Sequence, residues 1–166
     1  TGRSVLEGLY QPDFMSRKED GHIVLTTHNY KADNINREEL GRLKTKTFNF
    51  KATIEGDFNE KAYPAEEMLQ LKEGAQVMFI KNDKERIKRY YNGKIGIITR
   101  ITDDGIFVQC TGETSEIEVQ KETWENIRYT VNKNNNQVDE DVAGSFTQYP
   151  LRLAWAITDR KSTRLN

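Results

Sequence analysis

The chain has 166 residues, 25 basic and 26 acidic, with a net charge of -1, 36% hydrophobic and 10% aromatic content and a mean hydropathy of -0.81. That length allows one domain, or one domain with an inserted subdomain, and the aromatic content argues against outright disorder. No apolar run approaches the ~18 residues of a membrane span, the N-terminus lacks a signal-peptide core, and the single Cys110 excludes a disulfide framework or a Cys-rich zinc site, so the chain is expected to be soluble, cytoplasmic and metal-free.

In chain order, the β-branched run 22–27 (HIVLTT) predicts a strand feeding directly into a helix from Asn29 to about Leu43. Asn29 is the expected N-cap, Ala32, Ile35, Leu40 and Leu43 lie near one face, and Asp33 and Arg37 form an i,i+4 pair. A strand feeding a helix is the unit of an α/β sheet. Residues 47–54 (TFNFKATI) alternate polar and apolar and predict one half-buried strand, ended by Gly56-Asp57. A short helical turn is expected near Glu66–Leu71. From there the pattern is wholly β, with short strands at 75–80, 94–101, 106–110, 116–120 and 126–131. Asn82-Asp83, Asn92-Gly93, Asp104-Gly105 and Gly112 supply the turns, as in a small barrel or sandwich. The polar stretch 132–137 (NKNNNQ) is a linker or hairpin tip. The nearly continuous apolar run 151–158 predicts a central strand covered on both faces. Elements of α/β type thus bracket an all-β insert.

Charge is unevenly distributed. Residues 81–100 hold seven basic residues against Asp83 and Glu85, while 103–125 hold seven acids against Lys121 alone. The blocks read either as a basic face for a polyanion beside an acidic one, or as two solvated loops.

Two constellations could carry chemistry. Thr27, His28 and Asn29 (with Thr26) fall at a strand's carboxyl end and a helix's amino end, where free helix N–H groups favour phosphate; the same residues also read as ordinary capping. The basic loop Lys81–Lys94, including Arg86, Lys88 and Arg89, interleaves charge with Tyr90 and Tyr91, a pattern suited to single-stranded nucleic acid. Equally, both tyrosines read as packed on the β insert with the charges left to water. Trp124 and Trp155 read as core. There is no G-x-x-x-x-G-K-[ST] loop, since Lys88 stands where the glycine before Gly93-Lys94 belongs. G-x-S-x-G and H-E-x-x-H are absent and His22 and His28 are the only histidines, so no hydrolytic triad or zinc site is expected.

Residues 22–36 (HIVLTTHNYKADNIN), 71–83 (LKEGAQVMFIKND), 89–98 (RYYNGKIGII) and 149–158 (YPLRLAWAIT) resemble, in order and spacing, Pif-type superfamily 1 DNA helicases, especially bacterial Bacteroides-type members. The resemblance runs over most of residues 9–158. It implies an α/β fold with an all-β insert: a partial RecA-like domain (the second helicase lobe) over 1–70, an SH3-like β-barrel subdomain over 71–146, and a return strand over 147–158. It further implies a C-terminal-half fragment of an ATP-hydrolysing, 5′-to-3′ DNA helicase. Such a fragment would supply single-stranded DNA grip and half of the ATP cleft, and would not be active alone. The partners implied are single-stranded DNA and the missing N-terminal RecA-like lobe. No cofactor is implied for the fragment, whereas the intact parent would use ATP and Mg. By resemblance, Thr27, His28 and Asn29 fall on the family's fourth motif, against the DNA backbone, and Thr158 opens its fifth. After Thr158 the family pattern Ile-His-Lys-Ser-Gln-Gly gives way to 159–166 (DRKSTRLN), where only Lys161 and Ser162 coincide, so this tail is expected to be non-native. Two other readings remain, a stand-alone SH3-like nucleic-acid-binding module and a peptide-binding domain. The α/β elements at both ends argue against both.

Overall fold

The computed structural model describes residues 23–158; the expectations for His22 and for 159–166, including Lys161 and Ser162, lie outside the described residues. Strand β1 (Val24–Thr26) leads into helix α1 (Asn29–Arg42), the strand–helix unit read from the sequence. Ala32 and Leu40 are buried, with Ile35 and Leu43 partly buried against the core, as their spacing predicts. The helix starts differently from expectation. His28 is the N-cap, with extended backbone, and Asn29 is the first helical residue. The Asn29 side chain is engaged elsewhere: its Oδ1 accepts a hydrogen bond from Thr158 Oγ1 at 3.0 Å. Nor do Asp33 and Arg37 close their ion pair among the described residues, Arg37 donating instead to Asn34 Oδ1 at 3.5 Å.

The alternating run 47–54 is two strands rather than one. It breaks at Ala52, which is buried and donates its N–H to the Glu67 carbonyl at 2.7 Å. The first half, β2 (Thr47–Lys51), pairs antiparallel with β4 (Met68–Lys72). The second, β3 (Thr53–Gly56), joins another sheet. Where a helical turn was expected at 66–71 there is β4, because Leu69 and Leu71 point inward with period two. The helical turn is instead a 3₁₀ turn at Glu60–Ala62, whose N-cap Asn59 accepts from the Lys61 N–H at 2.8 Å.

Strands β5 (Gln76–Phe79), β6 (Ile95–Thr102), β7 (Gly105–Cys110) and β8 (Glu116–Val119) form an antiparallel meander close to the predicted bounds. Beyond β8 the predicted strand 126–131 is longer, β9 (Glu122–Asn132). It turns through the polar tip into β10 (Gln137–Gln148), a strand the sequence reading missed. Its run Asp139-Glu140-Asp141 carries no apolar alternation because this part of the hairpin lies in solvent.

The apolar run 151–158 also splits, into β11 (Leu151–Leu153) and β12 (Ala156–Thr158). β11 extends the meander in the order β11-β5-β6-β7-β8, whereas β12 runs parallel to β1 with Leu25 opposite Ile157. At the break the Ala154 N–H donates to the Gln76 carbonyl at 2.8 Å, Gln76 Nε2 donates to the Ala154 carbonyl at 2.9 Å, and Trp155 turns into the core. The run is therefore not one strand covered on both faces. α1 covers one face of the β1–β12 pair, while Leu25 on the other is 62% exposed.

No sheet closes on itself among the described residues, the five-stranded sheet ending at β11 and β8. A single apolar core nevertheless joins it to β4 and to the last turns of α1, with Leu71, Val77, Phe79, Ile106, Val108 and Leu151 wholly buried. Strand pairing crosses residue 70, since β3 lies beside β10. A β-bulge between Val142 and Gly144 turns the hairpin out of this body.

Candidate nucleic-acid interface

Thr27, His28, Asn29 and Thr158 come together at the carboxyl ends of the parallel strands β1 and β12, from positions about 130 residues apart in the chain. Thr27 Oγ1 lies 2.9 Å from His28 Nδ1, and the His28 N–H donates to Thr26 Oγ1 at 3.2 Å. The cluster is held by Asn36, one face of α1 further on. Its Nδ2 donates to the Ala156 carbonyl at 3.0 Å and its Oδ1 accepts from the Ala156 N–H at 2.8 Å. This amide-to-backbone pair imitates a strand partner and sets β12 against the helix.

The amino end of α1 is open. His28 makes no side-chain capping bond and the first turn holds no acid. The Lys31 and Ala32 N–H groups bond back to the His28 carbonyl, leaving the Asn29 and Tyr30 N–H groups facing outward at the positive end of the helix dipole. Tyr30 is 59% exposed and its ring stands edge-on to His28, centroids 5.4 Å apart at 60°. The N–H groups of the helix terminus therefore sit beside an exposed aromatic pair. Tyr30 and Asn36 were missed in the sequence reading. Both fall in the quoted motif 22–36, but the exposure of Tyr30 and the bonding of Asn36 to Ala156 show only in three dimensions.

The second predicted group, on the β5–β6 loop, is divided by the structure. Arg89 is a structural clamp: its Nε donates to Asp83 Oδ2 at 2.7 Å, its Nη2 to Oδ1 at 3.1 Å, and its Nη1 to the Glu118 carbonyl at 3.2 Å. Asp83 is buried and also accepts the Arg89 and Glu85 N–H groups, so these bonds hold its carboxyl well below the usual carboxylate range and raise the Arg89 pKa. Lys88 Nζ donates to the Asp83 carbonyl. Arg86 is exposed, with no hydrogen bond or ion pair among the described residues. The two tyrosines part company. Tyr90 is buried, stacked on Phe79 with centroids 4.1 Å apart, and burial pushes its hydroxyl up to about 12. Tyr91 is exposed, with Lys94 Nζ 5.5 Å from its centroid.

The charge blocks do not segregate onto separate faces. Lys94 pairs with Glu113, Arg100 with Glu116 at 3.4 Å and Lys84 with Glu122 at 4.0 Å, each joining a cation of the basic block to a carboxylate of the acidic one. Trp155 is core as read, but Trp124 is only half-buried, beneath Lys81 Nζ at 5.7 Å. Beside the first cluster, Arg152 borders a cavity of about 210 Å³ shared with Asp33 and Glu66. Burial lowers the pKa of its guanidinium, and those two carboxylates offset part of the shift. Among the described residues no group of three or more His, Cys, Asp or Glu is placed to hold a metal, and no helix is long and apolar enough to cross a membrane.

No family model matches the chain. It is 35% identical over 103 residues to the protein described as ATP-dependent DNA helicase Pif1 of Bdellovibrio bacteriovorus, a match over 62% of this chain and 21% of that protein. It is 30% identical over 98 residues to the protein of the same description in Campylobacter jejuni, over 58% of this chain and 21% of that one. In fold it matches unliganded Pif1 from Bacteroides sp, with a TM-score of 0.77 and 36% identity over 88% of this chain and 34% of that structure. Bacteroides Pif1 bound to single-stranded DNA matches with a TM-score of 0.72 at 36% identity, over 86% of this chain and 32% of the other. Candida albicans Pif1, at 23% identity and a TM-score of 0.63, shares the fold. The chain spans about a fifth of the length of these curated relatives and about a third of the Bacteroides structures.

Proposed function

In sequence and in fold the chain matches a segment of Pif1-type DNA helicases, and from that premise we propose that it supplies single-stranded DNA grip to an ATP-dependent, 5′-to-3′ DNA helicase. Residues 1–70 and 147–158 are then part of the second RecA-like lobe and 71–146 its SH3-like insert, with half of the ATP cleft bordered by this lobe. The chain has no phosphate loop, so nucleotide chemistry belongs to the rest of the parent, and no residue here is assigned to ATP or Mg.

The observation that carries the reading is the open amino end of α1 beside Thr27, His28, Tyr30 and Thr158. Two outward N–H groups at a helix terminus suit a backbone phosphate. The exposed Thr27 hydroxyl adds a polar contact, Thr158, itself buried, holds the Asn29 side chain through its hydroxyl, and the His28–Tyr30 pair offers a surface on which an unpaired base can stack. The β5–β6 loop contributes long-range attraction through Arg86 and Lys88, while Arg89 keeps that loop folded.

The test is anisotropy of a labelled oligothymidine titrated with the chain at several salt concentrations. Binding should weaken with salt in proportion to the phosphates contacted. Tyr30→Ala should cost about tenfold in affinity, within the ~1–3 kcal/mol of one stacked base. The pair Arg86→Ala, Lys88→Ala should lower the salt slope. Unchanged binding in Tyr30→Ala removes the helix terminus as the contact, and salt-insensitive or absent binding removes the DNA-grip reading.

A further inference from the structure

The outer part of the β9–β10 hairpin, from the pair Ile127–Val142 to the pair Asn132–Gln137, has no third strand beside it among the described residues, because β3 pairs with β10 only over Thr53–Gly56. At ~3.4 Å per residue it projects about 20 Å from the body. Paired residues share a face of an antiparallel ladder, so Ile127 and Val142, Tyr129 and Glu140, and Val131 and Val138 lie together. On the other face lie Arg128 with Asp141, Thr130 with Asp139, and Asn132 with Gln137. The arm is thus two-faced, and its apolar face is bare: Tyr129 and Val131 are each 64% exposed, Val138 60% and Val142 49%.

An isolated two-stranded hairpin is marginal in water, and a solvated arm does not need one apolar face. The exposed area of those four side chains is roughly 400 Å², in the range of patches that serve as contact surfaces on monomers. It is about half of the ~800 Å² per partner of a standard interface between free proteins. Such a face holds a partner that is already tethered, for which effective concentration supplies the rest. Acids outnumber bases on the arm, with Asp139, Glu140 and Asp141 against Arg128 and Lys133, and Glu140 is the charged residue on the apolar face itself. That charge repels nucleic acid, and it would also repel a second copy of the arm laid face to face. The solved structures that the chain matches are about two and a half times its length, so tethered protein is available in a parent of that kind.

We infer that the apolar face of the β9–β10 arm docks against another lobe of the same polypeptide, on an apolar patch bordered by Lys or Arg; this rests on the reading that the chain is one segment of a helicase. The test uses the intact parent protein with photoreactive p-benzoylphenylalanine in place of Tyr129, and in place of Thr130 on the opposite face as control. Irradiation should give intramolecular cross-links from position 129 to peptides outside residues 1–166, with several-fold lower yield from position 130. Equal yields from the two faces, links confined to this segment, or links between two copies would each overturn the docking. ATPase activity of the same preparation reports separately on the helicase reading. An active enzyme without the position-129 link loses the docking alone, and a parent with no ATPase lobe loses the reading beneath it.

Discussion

The Asp83 carboxylate accepts four hydrogen bonds, three from Arg89 and one from the Glu85 N–H, and it is the residue on which the β5–β6 loop is folded. Its folded-state pKa is depressed, first by the Arg89 side-chain bonds. The stabilisation is therefore fully present above the unfolded carboxyl range near ~3.9 and is lost as pH falls below it. Asp83→Asn should cost about 1–3 kcal/mol at neutral pH, the scale of hydrogen bonds to a charged group. It should also flatten the acid limb of stability below about pH 4; urea melts at pH 7 and pH 3 check both. Asn36 is the second such residue. Asn36→Leu removes both bonds to Ala156 and leaves that backbone N–H and carbonyl unpaired, at a cost of about 2 kcal/mol. Because it also frees β12, oligothymidine affinity should fall even though Asn36 touches no ligand. Retained affinity in a folded Asn36→Leu chain would show that Thr158 needs no such support. Neither role was legible in the sequence: Asp83 reads there as turn chemistry and Asn36 only as the end of a quoted motif, because neither the fold-back of the loop onto Asp83 nor a hydrogen bond spanning 120 positions leaves a periodic trace.

At the scale of elements, Gly144 marks where the arm leaves the body. A Cβ there would stand 2.3 Å from the Asp57 carbonyl oxygen, so β10 can pass the end of β3 only with glycine at this position. Gly144→Val should cost about 2–3 kcal/mol through forced separation of β3 and β10, read by thermal melting. The same change at the exposed Gly41, where nothing lies within 4 Å, should be near neutral or slightly stabilising, since Val stands above Gly in helix propensity. Strands with short apolar or alternating runs between strong turns (β5, β6, β7 and β8) were legible because pattern and turn chemistry agree. The misread elements share one cause. Runs 47–54 and 151–158 are continuous in apolar pattern yet change sheet midway, at Ala52 and at Ala154-Trp155, where backbone groups bond to Glu67 and Gln76. Periodicity reports which residues are buried, not which sheet buries them.

For the molecule as a whole, stability is unevenly spread. The five-stranded sheet, β4 and the end of α1 share one core, whereas β1 and β12 form a three-residue parallel pair covered on one face. Parallel strands are ordinarily covered on both. Amide exchange should be slow across β5, β6 and β7 and faster by orders of magnitude in β1 and β12. Uniform protection would show that α1 alone suffices to hold the pair. Truncating the central core, as in Phe79→Ala, should cost about 3–5 kcal/mol. The comparable loss at Leu25, already 62% exposed, should be within about 0.5 kcal/mol.

The order of strand, helix, alternating strands and apolar return run is set by local pattern, and so was readable from residues alone. So were the helix face of Ala32, Ile35, Leu40 and Leu43, the turn positions, and the resemblance carried by four short motifs. The assembly of Thr27, His28, Asn29 and Thr158 at one strand end needs the parallel pairing of β1 with β12, and the sequence pattern does not specify that partner. The mutual neutralisation of the basic and acidic blocks, the diversion of Arg89 from surface cation to loop clamp, and the bare apolar face of the arm were likewise decided only by tertiary structure. The Arg89 clamp needs the loop to fold back six residues onto Asp83, and the others depend on how separate strands are placed, since charge and burial act through space.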